Sequence, residues 1–387
     1  MWKILTLNNI SIAGLERFPR DCYEVASELG HPDAILVRSA NLHQMEIPET
    51  VKAIGRAGAG VNNIPVAAMS ARGVPVFNAP GANANAVKEL VIAGLFLAAR
   101  NIPQAWRYTL ELKEQGDALH KQVEQGKKQF VGFELPGKVL GVIGLGAIGV
   151  EVANTALNLG MDVIGYDPAL SVERAWQLSS SVRKARSIEE VMSEADFVTC
   201  HVPLVDSTKH LINADRLRMM KPGATLLNFS RDKIVDDEAV LAALREEHLK
   251  YFVTDFPSEE NKSHPHVIAL PHLGASTHQA EENCAIMVAN QLRDYLENGN
   301  IANSVNFPVA QMPRAEGSRV TIANENIPAM VSKISAVIGD ANLNIIDLLN
   351  KSRGDLAYTM IDLEGEVAAE VIQKLCEIEG VLAVRVV

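Results

Sequence analysis

The sequence predicts an α/β protein built from two doubly wound parallel-sheet domains, followed by a small α+β module. Three observations carry that expectation. Short apolar segments alternate with helical ones along roughly the first 270 residues, the pattern of parallel strands with helices on both faces. Within that run, Lys138 to Asp167 reads as strand, tight glycine turn, helix and second strand. Beyond Gly317 the pattern changes to strand, helix, two strands, helix and strand, the split βαβ arrangement. A chain of 387 residues is too long for one core, so two or three domains are expected.

In chain order, Ile4–Leu7, Ala34–Val37, Ala53–Arg56 and Pro75–Asn78 are the first strands. The third opens into a glycine-rich loop, Gly55 to Asn63, whose single cation is Arg56. Backbone N–H groups at Ala57 and Gly58 suit an oxyanion there, with Arg56 supplying charge. By itself the pattern also fits a flexible strand-to-helix loop with an exposed arginine. Asn78 to Asn85 caps a helix starting near Ala86. The apolar run Leu90–Ala99 is about half the length of a membrane span and reads as a buried helix. Asn101 to Leu135 is polar, carries Lys127 and Lys128, and reads as an arm or crossover.

The strand–turn–helix at Lys138 organises everything after it. Val139, Leu140, Val142 and Ile143 make a buried strand that runs straight into Gly144-Leu145-Gly146-Ala147-Ile148-Gly149. Gly144 permits the turn, Gly146 admits a pyrophosphate to the backbone, Gly149 lets helix and strand pack closely, and the helix N-terminus offers free N–H groups. Asp167 closes the next strand, where a carboxylate accepts from an adenosine ribose and repels a 2′-phosphate. The expected cofactor is therefore NAD and not NADP, on a Rossmann-like domain.

Strands follow at Phe197–His201, Ala224–Asn228, Tyr251–Asp255 and Val267–Ala269, with a helix over Asp237–Glu246. Ligands on such sheets sit beyond the carboxyl ends of the strands, and Arg231, Asp255 and His272 lie just past such ends. Taken singly, the arginine is a surface ion pair, the Asp255–Glu260 acids a solvated loop and the histidine a structural one. Together they suit hydride transfer. An arginine fork grips a 2-hydroxy carboxylate, a histidine exchanges the hydroxyl proton, and a neighbouring glutamate orients the imidazole. A helix over Gln279–Asn298 and a proline-rich linker, Phe307 to Gly317, lead into the C-terminal module. Its elements are Arg319–Ala323, Pro328–Gly339, a hairpin of Leu343–Lys351 with Leu356–Leu363, Ala368–Glu379 and Val381–Val387.

Composition narrows the partners. A net charge of −11 disfavours nucleic acid and anionic membranes, so an anionic substrate needs a local cluster of donors. Cys22, Cys200, Cys284 and Cys376 are too scattered for a metal or disulfide framework, so no metal is expected and a reducing cytoplasm suits them. The N-terminus lacks the apolar region of a secretory signal.

In order and spacing, Gly144–Gly149, Asn228–Asp236 and Pro271–Thr277 resemble the D-isomer-specific 2-hydroxyacid dehydrogenases. The resemblance covers nearly the whole chain. It implies a substrate-binding domain at 1–98 and 284–312, an NAD-binding domain at 99–283 and a ferredoxin-like ACT module at 318–387. It places catalytic roles on Arg231, Glu260 and His272, with Glu259 as an alternative to Glu260. It gives cofactor contacts to Gly144, Gly146, Ala147, Ile148, Gly149, Asp167, Val202, Phe229, Ser230 and Asp255. The expected reaction is NAD-dependent oxidation of 3-phospho-D-glycerate to 3-phosphooxypyruvate, opening the phosphorylated route to serine. Alternatives are reduction of a smaller 2-oxo acid such as hydroxypyruvate or glyoxylate, or an idle NAD sensor. The phosphate is assigned to Arg56, Ala57 and Gly58. Two departures stand out. Asp232 replaces a glycine after the catalytic arginine. In the module, Asn326 and Asn344 match effector-binding asparagines, but Asn324 and Ala329 replace a histidine and a glycine, so L-serine is expected to bind weakly or not at all. A homodimer or homotetramer is expected, paired through the nucleotide domains and the module's open sheet edges.

Overall fold

The computed structural model describes residues 1–387 and divides them into two compact units, Met1–Asn83 with His278–Val387, and Ala84–Thr277. The first unit opens with β1 (Trp2–Leu7), α1 (Ile12–Leu15), β2 (Tyr23–Ala26), β3 (Ala34–Val37), β4 (Ala53–Arg56), α2 (Val66–Ala71) and β5 (Val76–Phe77). All five strands are parallel, in the order β2-β1-β3-β4-β5. β3 is buried along its whole length, which is why its four residues form an unbroken apolar run. β2 lies at the edge. Its alternating, half-polar Tyr-Glu-Val-Ala carries too weak a pattern to stand out in the sequence.

The second unit begins with α3 (Ala84–Ala99), the helical arm α4 (Ile102–Glu111) and α5 (Gly116–Gly126), then β6 (Val139–Ile143) and α6 (Ala147–Asn158). It continues through β7 (Asp162–Tyr166), α7 (Val172–Gln177), β8 (Arg183–Lys184), α8 (Ile188–Glu194), β9 (Phe197–Cys200) and α9 (Ala214–Met219). β10 (Ala224–Asn228), α10 (Asp237–Arg245), β11 (Leu249–Thr254) and β12 (Val267–Ala269) complete it. Its seven-stranded sheet runs β12-β11-β10-β9-β6-β7-β8, all parallel. Chain direction across the sheet reverses between β6 and β9, so a ligand crevice opens at their carboxyl ends. The units part at 83/84, not after residue 98 as the sequence suggests. Val87, Val91, Leu95 and Ala98 of α3 share a core with Leu140, Val142 and Phe197, and that packing assigns the helix to the second unit.

The chain returns to the first unit through α11 (His278–Asn298) and ends in β13 (Ser318–Glu325), α12 (Met330–Asp340), β14 (Ile345–Arg353), β15 (Leu356–Leu363), α13 (Ala369–Cys376) and β16 (Val381–Val386). These strands form an antiparallel sheet in the order β14-β15-β13-β16, the split βαβ arrangement. Val320, Ile322, Ile361 and Leu363 face Ile334 and Ile338 of α12 and Leu375 of α13. From the same strands, Ala323, Tyr358 and Met360 join the core formed by Tyr295, Leu296, Ile301 and Phe307. Both faces of the central strands are thus covered, and the module clusters with the first unit instead of standing apart.

Arg319 locks this junction. Its Nε and Nη2 donate to Asp362 Oδ1 and Oδ2 at 2.6 and 2.7 Å. Nη1 donates to Asn298 O and Met312 O, and Nη2 to Pro313 O, at 2.7–3.0 Å, so all five N–H donors of a fully buried guanidinium are satisfied. Burial pushes the Asp362 carboxyl up, but Arg319 and the Ala315 N–H outweigh it and hold it below the usual range. The other carbonyls at the end of α11 are capped from the same side. Tyr358 donates to Gly299 O at 2.8 Å, Arg314 to Glu297 O at 3.0 Å and Arg385 to Leu296 O at 3.2 Å. Cations suit the negative end of a helix dipole. No helix of the chain is long and apolar enough to cross a membrane.

Candidate active site

The turn between β6 and α6 shows what each glycine is for. Gly144 has φ +92°, and a Cβ there would lie 2.7 Å from His201 O. A Cβ on Gly149 would come within 1.9 Å of Gly144 O, so only glycine lets the helix pack this close. Around Gly146 a Cβ would meet nothing within 4 Å, leaving open space over the first turn of α6, while Ala147 and Ile148 are half-exposed beside it. Asp167, at the end of β7, accepts from Leu145 N and Ala169 N at 2.8 Å each. One carboxylate thereby ties the second strand to the glycine turn.

The carboxyl ends of β9, β10 and β11 build the other side. Ser230 Oγ donates to Val202 O at 2.6 Å, Ser230 N donates to Asn228 Oδ1 at 3.1 Å, and Asn228 Nδ2 donates to Arg231 O at 2.8 Å. These bonds fix the backbone that presents Arg231, whose exposed side chain folds back to donate to Ser230 O at 2.7 Å. Asp255 is 1% exposed and accepts from Gly274 N at 3.0 Å through Oδ2, while its buried Oδ1 has no partner. Burial pushes its carboxyl above the ordinary range, against the pull of the Gly274 N–H and of the His272 and Arg231 charges. Asp255 thus feels both of the other candidate residues. His272 has φ +39°, a left-handed backbone held by its N–H donating to Asp255 O at 2.9 Å. Its exposed ring packs on Phe256 with centroids 4.9 Å apart.

Residues 92–280 match the family model for the NAD binding domain of the D-isomer specific 2-hydroxyacid dehydrogenases. The D-3-phosphoglycerate dehydrogenase of Haemophilus influenzae is 37% identical over 305 residues, covering 76% of this chain and 70% of the relative. That of Methanocaldococcus jannaschii is 35% identical over 346 residues, 86% of this chain, which spans only 62% of that relative's length. The structure of NAD+-bound 3-phosphoglycerate dehydrogenase from Entamoeba histolytica aligns with a TM-score of 0.59 at 26% identity, over 79% of this chain and 98% of that one. The chain belongs to the D-isomer-specific 2-hydroxyacid dehydrogenase family.

The second unit fits the NAD of this dehydrogenase family on its own geometry. Gly146 leaves room for a pyrophosphate, Asp167 holds a carboxylate at the end of β7 beside the glycine turn, and the orphaned Asp255 Oδ1 is a buried acceptor that a carboxamide N–H would satisfy. Val202 and Ser230 are linked at the crevice side of the sheet, whereas the Phe229 ring is buried against Gly94 of α3 and contributes packing.

Neither glutamate proposed for the dehydrogenase chemistry reaches His272. Asn261, 1% exposed, exchanges bonds with Ser258 in both directions at 2.9 and 3.1 Å and donates to Asp237 at 3.3 Å. That knot pulls the loop inward at Asn261 and leaves Glu259 and Glu260 exposed on a turn, without a hydrogen bond or ion pair to the imidazole. The structure also brings forward His201, which the sequence showed only as a strand end. Burial pushes its imidazole down to about 3, so the ring is neutral, with Nε2 3.0 Å from Thr199 Oγ1 and Nδ1 unpartnered. The available signal was a histidine at a strand terminus directly before Val202-Pro203.

In the first unit, Arg56 Nε donates to Arg38 O at 3.0 Å, and a Cβ on Gly58 would strike Arg56 Nη1 at 1.8 Å. The guanidinium therefore lies over its own loop, with Ala57 buried beneath. Lys127, in the arm of the second unit, pairs with Glu124 on an exposed face, and Lys128 is exposed beside it. In the C-terminal module, Asn326 Nδ2 donates to Gly354 O at 2.9 Å, Asn344 is exposed, and Asn324 is buried with Oδ1 unpartnered. Ala329, in the left-handed region at φ +68°, directly precedes α12.

Proposed function

We propose that this chain oxidises 3-phospho-D-glycerate to 3-phosphooxypyruvate with NAD, the first step of the phosphorylated route to serine. The observation that carries the reading is the convergence of Arg231, Asp255 and His272 on adjoining strand ends of an NAD-binding sheet. Relatives named D-3-phosphoglycerate dehydrogenase support the choice of substrate. Arg231 grips the substrate carboxylate through two parallel N–H donors. His272 takes the C2 hydroxyl proton, its ring steadied by Phe256 and its backbone N–H anchored on Asp255 O. In this assignment Glu260, or Glu259, serves only if the loop before Asn261 rearranges. Asp255 Oδ1 accepts from the carboxamide, and Asp167 accepts from the ribose hydroxyls. Bound NAD supplies the acceptor for the hydride leaving C2. Arg56, with the Ala57 and Gly58 backbone, takes the substrate phosphate.

A smaller 2-oxo acid is the second reading, because exposed Asp232 adds a negative charge beside Arg231 that works against a dianionic phosphate. Absorbance at 340 nm with phosphoglycerate, hydroxypyruvate and glyoxylate separates the readings. Turnover of neither oxo acid nor phosphoglycerate, with NAD still bound, would leave an NAD sensor.

The C-terminal module is assigned as an ACT domain on its strand order, and it serves assembly. Asn326 is already engaged by Gly354 O, so the proposal excludes tight L-serine binding, which calorimetric titration tests directly. A homodimer through α4 follows from Ile102, Trp106 and Leu110, which are 43, 67 and 67% exposed along one apolar stripe. A reducing cytoplasm is part of the same proposal, and four free cysteines, two of them exposed, support it.

A further inference from the structure

A cleft of about 360 Å³ lies within the first unit where β16 meets the parallel sheet, lined by Asp33, Lys52, Arg72, Gly73, Ala383 and Arg385, among others. The seam is a built contact. Gly73 has φ +68°, and a Cβ there would lie 2.8 Å from Ala383 Cβ. Arg72, the cap of α2, and Arg385, on β16, both line this opening.

The two arginines differ from Arg319 in the respect that matters for a ligand. Arg319 is neutralised by Asp362 and spends all five donors. Arg72 donates only to Ile47 O and Pro48 O, at 3.0 and 2.7 Å. Arg385 reaches Leu296 O at 3.2 Å and Tyr295 O at 3.5 Å, with its guanidinium 4.4 Å from the Tyr295 ring centroid. Neither makes an ion pair, and each keeps N–H donors without protein partners. Asp33 is the acid that acts on Arg385, but its two oxygens are engaged by Lys52 and by Lys3 N. Asp33 and Lys52 cancel. Glu49, exposed at the rim, offsets one arginine and leaves a net positive opening in a chain of net charge −11.

We propose that this cleft binds a small anion, a carboxylate or a phosphate, held by the forks of Arg72 and Arg385, and that the anion fastens β16 to the parallel sheet. Planar guanidinium pairs recognise both groups bidentately, and the volume admits a small metabolite. The site is independent of the substrate reading, since it uses none of the residues assigned to it.

The test is hydrogen exchange on the full chain with inorganic phosphate or citrate, against sodium chloride at matched ionic strength. Saturable protection of residues 72–74 and 381–386 is expected. Response to citrate alone assigns a carboxylate, response to phosphate alone a phosphate ester, and either supports the site. Arg385→Lys keeps the charge but loses the fork and is expected to weaken binding by about tenfold. Arg72→Gln, which leaves the α11 contacts intact, should weaken it comparably. Absence of saturable protection, or protection confined to residues 144–149, overturns the proposal, as does unchanged affinity in both variants.

Discussion

Replacing Asp255 with asparagine separates a cofactor contact from a structural one. In the wild type, Oδ2 accepts from Gly274 N at 3.0 Å and Oδ1 is a buried acceptor without a protein partner. An asparagine must keep its carbonyl oxygen toward the Gly274 N–H, which turns its NH₂ into the position of Oδ1. There a donor faces the donor of the carboxamide. A hydrogen bond to a charged acceptor is worth about 1.5–3 kcal/mol, so NAD affinity is expected to fall by about 10- to 150-fold. Stability should move the other way. Burial raises the Asp255 carboxyl above its ordinary value of 3.8, so between that value and the folded one the folded chain holds the extra proton. Stability from this group is therefore greatest at low pH and is lost as pH rises through the raised value. Near neutral pH an uncharged asparagine removes that cost, and Tm should hold or rise. Calorimetric titration with NAD and thermal melts at two pH values read both effects. Undiminished NAD affinity would refute the assignment, and a drop in Tm alongside weaker binding would make Asp255 a structural residue.

Four further outcomes are expected. His272→Asn, chosen because asparagine tolerates the φ of +39°, should lower turnover by about 100-fold or more with NAD affinity unchanged; near-normal turnover removes the histidine from the mechanism. Asp167→Asn keeps one side-chain acceptor for the Leu145 and Ala169 N–H groups, turns the other oxygen into an NH₂ and removes the charge, so kcat/KM for NADP should rise relative to NAD, and a wild type already favouring NADP defeats the reading. Arg56→Ala should raise KM for phosphoglycerate far more than for hydroxypyruvate, whereas equal losses would make Arg56 a carboxylate or structural residue. Trp106→Asp should convert the dimer to a monomer in sedimentation velocity, and an unchanged sedimentation coefficient would move the interface away from α4.

Period and punctuation alone determined a great deal. The β6 strand, the glycine turn and Asp167 were legible because each glycine answers a local demand, of turn, access or packing, that a neighbouring residue in the chain imposes. The segments of β13 and β15 were legible as strands, although both are buried on each face. The pattern marks which residues are buried, but not what buries them. Only tertiary packing decided that α3 sides with the second sheet, and that Arg319 finds Asp362 across 43 residues of chain, leaving the C-terminal sheet closed on its second face. The loop of the glutamates is a further case. Glu260 was picked out by its spacing from Arg231, with Glu259 beside it, yet the loop is set by Asn261 bonding to Ser258 and to Asp237 from another element, and a hydrogen bond to a residue 24 positions away leaves no periodic trace in the sequence.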